Sequence, residues 1–212
     1  MLSVSESSVH NTVALIAEQL DRHAIATVDD LLPEGVLDSL LSESKLLLGH
    51  GEFHPALIGR GVTEQRISEI RGDKILWLEK EGLTPSQQRY FSFLEELRDH
   101  LSSYFRIRLP WFECHLAAYP VGSFYTRHFD QFRETNNRIF SVILYLNENW
   151  QESDGGQLRI YEDGAHRDIE PKMGRLVCFR SDLIEHEVLV TNRTRFSITG
   201  WIRRDEPTPV FL

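Results

Sequence analysis

The chain has 212 residues and a formal net charge of −9, and 41% of it is hydrophobic, with four Trp, twelve Phe and six Tyr. That size and apolar content predict one domain with extensions around a sizeable core. The acidic balance excludes broad affinity for nucleic acid, which needs a basic field, and no apolar run reaches membrane-spanning length.

Residues 1–6 lack the basic and apolar blocks of a signal peptide. Over residues 9–23, Val13, Ile16, Ala17 and Leu20 recur at helical spacing and predict an amphipathic helix. Residues 24–28 form a short apolar strand candidate. A second helix follows, with Asp29 or Asp30 as its cap and Pro33 in its first turn. Val36, Leu37, Leu40, Leu41 and Leu47 mark its buried stripe. Residues 49–64 are glycine-rich and predict a loop. His50 and His54 stand there at i,i+4, but Gly51 and Pro55 argue against the helix that would make them a ligand pair.

Residues 66–70 and 74–79 predict two strands joined by Arg71-Gly72-Asp73. Such a hairpin near a site would make a mobile lid. Thr84-Pro85-Ser86 opens a third helix, to about Phe105, with Tyr90, Leu94, Leu97 and Leu101 on its buried side. From Phe112 the pattern is almost all strand: 112–119, 138–146, 157–162, 166–170, 174–179, 186–191 and 195–203. Short, evenly spaced strands with Gly-rich turns predict a mainly β fold with flanking helices. Its core would be a double-stranded β-helix, or jelly roll, buttressed by the N-terminal helices. We divide the chain into an N-terminal helical support region, 1–65, and a jelly-roll domain, 66–212. Cys114 and Cys178 lie in apolar runs and have neither disulfide nor zinc spacing. They predict buried thiols in a reducing, cytoplasmic compartment.

His128 and Asp130 are two apart, so on a strand both side chains leave the same face. With His186 they compose the two-histidine, one-carboxylate set of non-haem iron(II) oxygenases. Arg195 follows His186 across what reads as a hairpin, turning at residues 191–194, which would return the guanidinium to the metal. A fixed fork there suits the far carboxylate of a dicarboxylate such as 2-oxoglutarate. Strand parity groups Arg195 with Ser197, Thr199 and Trp201, and Tyr145 with Ile143 and Ser141. Tyr145 would share the same carboxylate.

The segments Arg71-Gly72-Asp73-Lys74, Tyr119-Pro120, Tyr125-Thr126-Arg127-His128-Phe129-Asp130, Tyr145-Leu146-Asn147, Gly155-Gly156, His186-Glu187-Val188 and Arg195 to Trp201 stand in an order that resembles the hypoxia-inducible-factor type of prolyl hydroxylase and its bacterial relatives. The likeness covers residues 66–205 and is diffuse before them. It implies iron(II) on His128, Asp130 and His186, and 2-oxoglutarate on Arg195 and Tyr145, with Tyr119 and Tyr125 lining the pocket. It places Thr199 near the metal-bound water or co-substrate. Arg138 and Trp201 would border the substrate proline, and Arg71, Asp73 and Lys74 would belong to a loop folding over it.

The activity so implied is dioxygen-dependent hydroxylation of prolyl C4 in a protein, with succinate and carbon dioxide as co-products and ascorbate as reductant. The expected setting is a cytoplasmic monomer without nucleic-acid or membrane partners. A translation factor such as elongation factor Tu is the expected substrate, and oxygen sensing an expected role. The loops at 121–124 and 181–186 are shorter than in animal members, and 131–137 is longer, which bears on peptide selectivity. Two other readings stay open. One is a small-molecule hydroxylase with the same cofactors and a closed pocket. The other is a non-enzymatic barrel holding a structural metal, against which Arg195 and Tyr145 stand.

Overall fold

The computed structural model describes residues 6–56, 69–131, 136–162 and 164–205. Three α-helices, α1 (Glu6–His23), α2 (Glu34–Gly49) and α3 (Pro85–Phe105), lie with eleven strands among the described residues. The strands are β1 (Ile25–Val28), β2 (His54–Pro55), β3 (Lys74–Trp77), β4 (Trp111–Tyr119), β5 (Tyr125–His128), β6 (Arg138–Tyr145), β7 (Leu158–Glu162), β8 (Ala165–Ile169), β9 (Leu176–Arg180), β10 (Glu185–Val188) and β11 (Arg195–Arg203). No helix among the described residues is long and apolar enough to cross a membrane.

The strands form two antiparallel sheets, the architecture of a double-stranded β-helix. The larger has the order β1-β9-β6-β11-β4-β3-β2 and the smaller the order β5-β10-β7-β8. β1 and β2 come from the region expected to be helical support, so that region also completes the larger sheet. Strand alternation assigns the two faces of this sheet. On β4, Phe112, Cys114, Leu116 and Ala118 face the helices, where they pack with Val13, Leu40, Leu97, Leu144 and Ile198. Each leucine, isoleucine, valine or phenylalanine so buried contributes about 1.5–3 kcal/mol. The opposite residues of β4, Ala117 and Tyr119, join a separate inter-sheet cluster. A further cluster between the sheets gathers Ile143, Tyr145, Leu158, Ile160 and Phe179. Both cysteines are buried and free, as expected.

Several local expectations change. Neither Asp29 nor Asp30 caps α2: Pro33 is its N-cap residue, and Asp29 instead accepts two hydrogen bonds from Arg175, at 2.6 and 2.9 Å. The third helix starts as expected, with Thr84 and Gln87 in a reciprocal capping box and Pro85 at the first position. His54 and Pro55, expected in a loop, form an edge strand on β3. The expected strand at 66–70 lies mainly outside the described residues, while Glu69 and Ile70 form a turn.

The largest correction concerns the expected hairpin. β10 pairs with β5 and β7, whereas β11 pairs with β4 and β6. Residues between β10 and β11 therefore cross from one sheet to the other. Gly156 and Gly155 line this crossing: a Cβ on Gly155 would lie 2.3 Å from the Val190 carbonyl oxygen, and its φ is +68°.

Candidate metal centre and adjoining cavity

The register of the larger sheet sets out its cavity face as rows. Tyr119 is opposite Arg195, and Ala117 opposite Ser197, which is opposite Tyr145. The next row runs Trp77, His115, Thr199, Ile143, Val177. The row after it runs Glu113, Trp201, Ser141, Phe179. A cavity of about 510 Å³ lies over this face, within the range of small-molecule sites.

The smaller sheet supplies the two histidines, which are partners in the β5–β10 ladder. Asp130 is not on the strand with His128, as expected, but in the bend beyond it. It still reaches the same spot. Ligand atoms of His128, Asp130 and His186 all lie within 4.8 Å of one another. The Asp130 carboxylate oxygens stand 3.5 Å from His128 Nε2 and 3.8 Å from His186 Nε2.

Backbone geometry prepares this donor set. His128 Nδ1 donates to the Thr126 carbonyl at 2.7 Å, and His186 Nδ1 to the Ile184 carbonyl at 3.1 Å. Each bond leaves the Nε2 lone pair free for a metal. Ser141 Oγ donates to Asp130 Oδ2 at 2.6 Å and is itself 2.8 Å from Ser181 Oγ. Burial pushes the pKa of His186 down to about 4, which keeps the ring neutral at physiological pH. Burial alone would raise the pKa of Asp130, but His186, His128 and Ser141 outweigh it and hold the carboxyl well below the usual range. Two imidazoles and a carboxylate on one side of a cavity fit a divalent iron with open positions.

At one end of the cavity, Arg195 is 2% exposed, and no carboxylate of the described residues pairs with it. Its guanidinium carbon is 4.9 Å from the ring centres of both Tyr119 and Tyr145. Arg195 Nε and Tyr145 Oη are buried without hydrogen-bond partners. Burial raises the pKa of both tyrosines, so each is a neutral phenol. Gly156 backs the arginine closely: a Cβ there would lie 3.1 Å from Arg195 Cδ.

At the other end, Arg138 lies across the Trp201 ring, 3.4 Å from its centre. Glu113 accepts hydrogen bonds from Arg138 at 3.3 Å and from Arg203 at 2.8 Å. Trp77, 44% exposed, stands at the rim with its ring edge-on to buried His115, the centres 4.9 Å apart.

Of the residues singled out from sequence, Arg71, Asp73, Tyr119, Tyr125, Arg138, Arg195, Thr199 and Trp201 line the cavity with the three metal-ligand candidates. Arg71 is bound bidentately by Asp73, both contacts 2.7 Å, and lies 4.3 Å over the Tyr125 ring, which stacks on His128 at 3.7 Å. Tyr145 is fully buried and is not among the lining residues; it stands behind them, its ring centre 4.9 Å from the Arg195 guanidinium carbon. Lys74 is exposed on β3 and is not among the lining residues. Sequence reasoning missed Glu113 and His115, and it weighed His54 only as a metal ligand and Trp77 only as part of the 74–79 strand; all four line the cavity. Alternation back from Tyr119 along β4 would have reached the first two.

The comparisons with known proteins agree with this geometry. Residues 114–203 match the family described as the 2OG-Fe(II) oxygenase superfamily. A prolyl-4-hydroxylase of Pseudomonas putida is 37% identical, with a TM-score of 0.83 over 92% of this chain and 100% of its own. A prolyl hydroxylase of Trichoplax adhaerens, solved with a hypoxia inducible factor oxygen degradation domain peptide fragment, is 25% identical, with a TM-score of 0.82 over 96% of this chain and 94% of its own. The curated relative prolyl 3-hydroxylase OGFOD1 of Xenopus laevis is 25% identical over 88% of this chain, which spans 41% of that relative's length.

Proposed function

The chain belongs to the 2-oxoglutarate- and iron(II)-dependent oxygenase superfamily, and within it we propose a prolyl hydroxylase that oxidises C4 of a proline in a protein substrate. The observation that carries the co-substrate assignment is Arg195. A buried guanidinium without a counter-charge is costly. The far carboxylate of 2-oxoglutarate supplies that charge and also meets the unpartnered Tyr145 hydroxyl. A structural metal would leave both groups unexplained.

His128, Asp130 and His186 would hold the iron. When bound, iron(II) with 2-oxoglutarate and dioxygen supplies the oxidising chemistry, with succinate and carbon dioxide as co-products. The protein's contribution is geometric. Arg195 and Tyr145 fix one end of the keto acid and so orient its other end toward the three ligands. Thr199 lies on the row between the Arg195 end and Trp201, beside the space a metal-bound group would use. Trp201, with Arg138 laid over it, forms a flat wall for the proline ring. Arg71, pinned by Asp73, braces Tyr125 and through it His128.

The prolyl substrate rests on the likeness to the Pseudomonas putida and Trichoplax adhaerens hydroxylases. Exposed His54, Pro55 and Trp77 at the rim suit a chain passing over the cavity better than a sealed metabolite pocket. The bacterial likeness favours a translation factor, elongation factor Tu foremost, in a cytoplasmic monomer that uses ascorbate to keep iron reduced. The net charge of −9 disfavours a nucleic-acid partner. An oxygen-sensing role would follow from a weak affinity for dioxygen.

The test is anaerobic loading with iron(II) and 2-oxoglutarate, admission of air with candidate proteins, and mass spectrometry for one added oxygen on a proline. Chromatography of the acid hydrolysate then separates 4- from 3-hydroxyproline. Succinate release with no modified proline in any protein would turn the assignment toward a small-molecule hydroxylase.

A further inference from the structure

The cavity does not end at Trp201. An arm runs from the Thr199 row toward the sheet edge, lined by His115, Trp77, Ile75, Pro55 and His54. His115 is at its root, paired in the ladder with Thr199 on one side and with Trp77 on the other. The imidazole is 3% exposed, and its centre lies 5.5 Å from Trp201 and 4.9 Å from Trp77. Its Nδ1 is buried and has no hydrogen-bond partner. Neither the metal set nor the Arg195 end uses this residue.

A buried ring nitrogen without a partner is an expensive feature to keep inside a protein. An apolar side chain of similar size would fill the place at lower cost. Burial, with Arg71 and Arg138 nearby, pushes its pKa down to about 3, so the ring is neutral and offers one donor and one acceptor. The imidazole is nearly symmetric in outline, and a half-turn about its side-chain bond presents nitrogen on either edge. The rest of the arm is Ile75, Pro55, His54 and an exposed tryptophan face, which suits apolar contact with a few placed polar groups.

We propose that His115 is a specificity-determining residue for the substrate chain: it hydrogen-bonds a main-chain group next to the target proline, while the neighbouring side chain, apolar or aromatic, packs on Trp77. The inference rests on the prolyl reading above and extends it to the residue beside the proline. Strand β3 and the short edge strand β2 border the arm, so an extended segment would run along the sheet edge toward His54.

The test measures binding without turnover. The full chain is loaded with manganese(II) and 2-oxoglutarate under nitrogen. Acetylated nonapeptides with one central proline are then titrated in, each flanking position varied through Ala, Leu, Phe, Asp and Lys. Tryptophan fluorescence reports binding. For the wild type, Leu or Phe at one flank should bind at least tenfold tighter than Asp or Lys. His115→Leu should weaken the preferred peptide about tenfold without lowering the thermal midpoint. His115→Asn, which keeps a polar atom near the Nδ1 position, should recover part of the loss. A wild type that binds the peptides without flank preference, or a His115→Leu protein that binds as tightly as wild type, overturns the assignment of His115 alone. A lowered midpoint for His115→Leu with unchanged peptide ranking marks the residue as structural and also overturns it. A wild type that binds none of the peptides removes the prolyl reading and this inference together.

Discussion

Ser141 and Asp130 join the two sheets at the metal centre. Ser141 is on β6 of the seven-stranded sheet, and its hydroxyl donates to the Asp130 carboxylate at 2.6 Å, just beyond the end of β5 in the other sheet. The bond fixes one carboxylate oxygen and leaves the other directed at His128. Partners behind a metal ligand commonly affect affinity by about 10–100-fold. Ser141→Ala should therefore weaken iron(II) or manganese(II) binding by roughly that factor, measured by anaerobic equilibrium dialysis, with the circular dichroism spectrum preserved. Equal affinity in the variant would mean that Asp130 is held by the backbone alone.

Loss of a ligand should be more severe. His128→Ala and Asp130→Ala are each expected to abolish iron-dependent succinate production, because neither site retains three donors. The readout is succinate per enzyme with iron(II) and 2-oxoglutarate supplied. Near-wild-type coupled turnover in either folded variant would remove the assignment of the metal centre.

Arg195 should govern the 2-oxoglutarate requirement. Arg195→Ala removes a charge-assisted pair and is expected to raise the half-saturating concentration at least about tenfold. Tyr145→Phe, which removes one neutral hydroxyl, should raise it by a smaller factor. An unchanged requirement in Arg195→Ala would show that another group holds the far carboxylate.

Glu113 is bonded to both Arg138 and Arg203, and Arg138 lies on Trp201. Glu113→Gln keeps the shape and removes the charge that holds Arg138 in place. The expected result is a several-fold rise in KM for the proline substrate with little change in the 2-oxoglutarate requirement. A change confined to kcat would contradict this positioning role.

Gly200 sits where β11 meets β4 on the helix side. A Cβ there would lie 2.4 Å from the Glu113 carbonyl oxygen and 2.6 Å from Cys114 Cβ. Gly200→Ala should destabilise the fold by about 1–3 kcal/mol, the usual cost of overpacking, read from urea unfolding midpoints at constant slope. An unshifted midpoint would show that the β4–β11 pair separates easily.

Much of this was readable from the chain because strand alternation is local. Tyr119, Arg195, Thr199 and Trp201 all face the cavity, as their parity on two strands requires. The His128-x-Asp130 spacing pointed to the right pair for a partly wrong reason, since Asp130 reaches the metal from a bend rather than a strand. Arg195 was expected beside His186 through a hairpin; it arrives instead from the opposite sheet.

Residue type and spacing therefore determined the His128-x-Asp130 pair, the helical stripes and the alternating faces, since each depends on neighbours a few positions away. Only the tertiary structure decided which strands pair, and with that the crossing at 191–194, the Ser141–Asp130 tie, and the row that sets His115 between Thr199 and Trp77. The physical reason is that strand pairing is chosen by burying two faces at once. That choice depends on contacts between residues far apart in the chain, which no local pattern records.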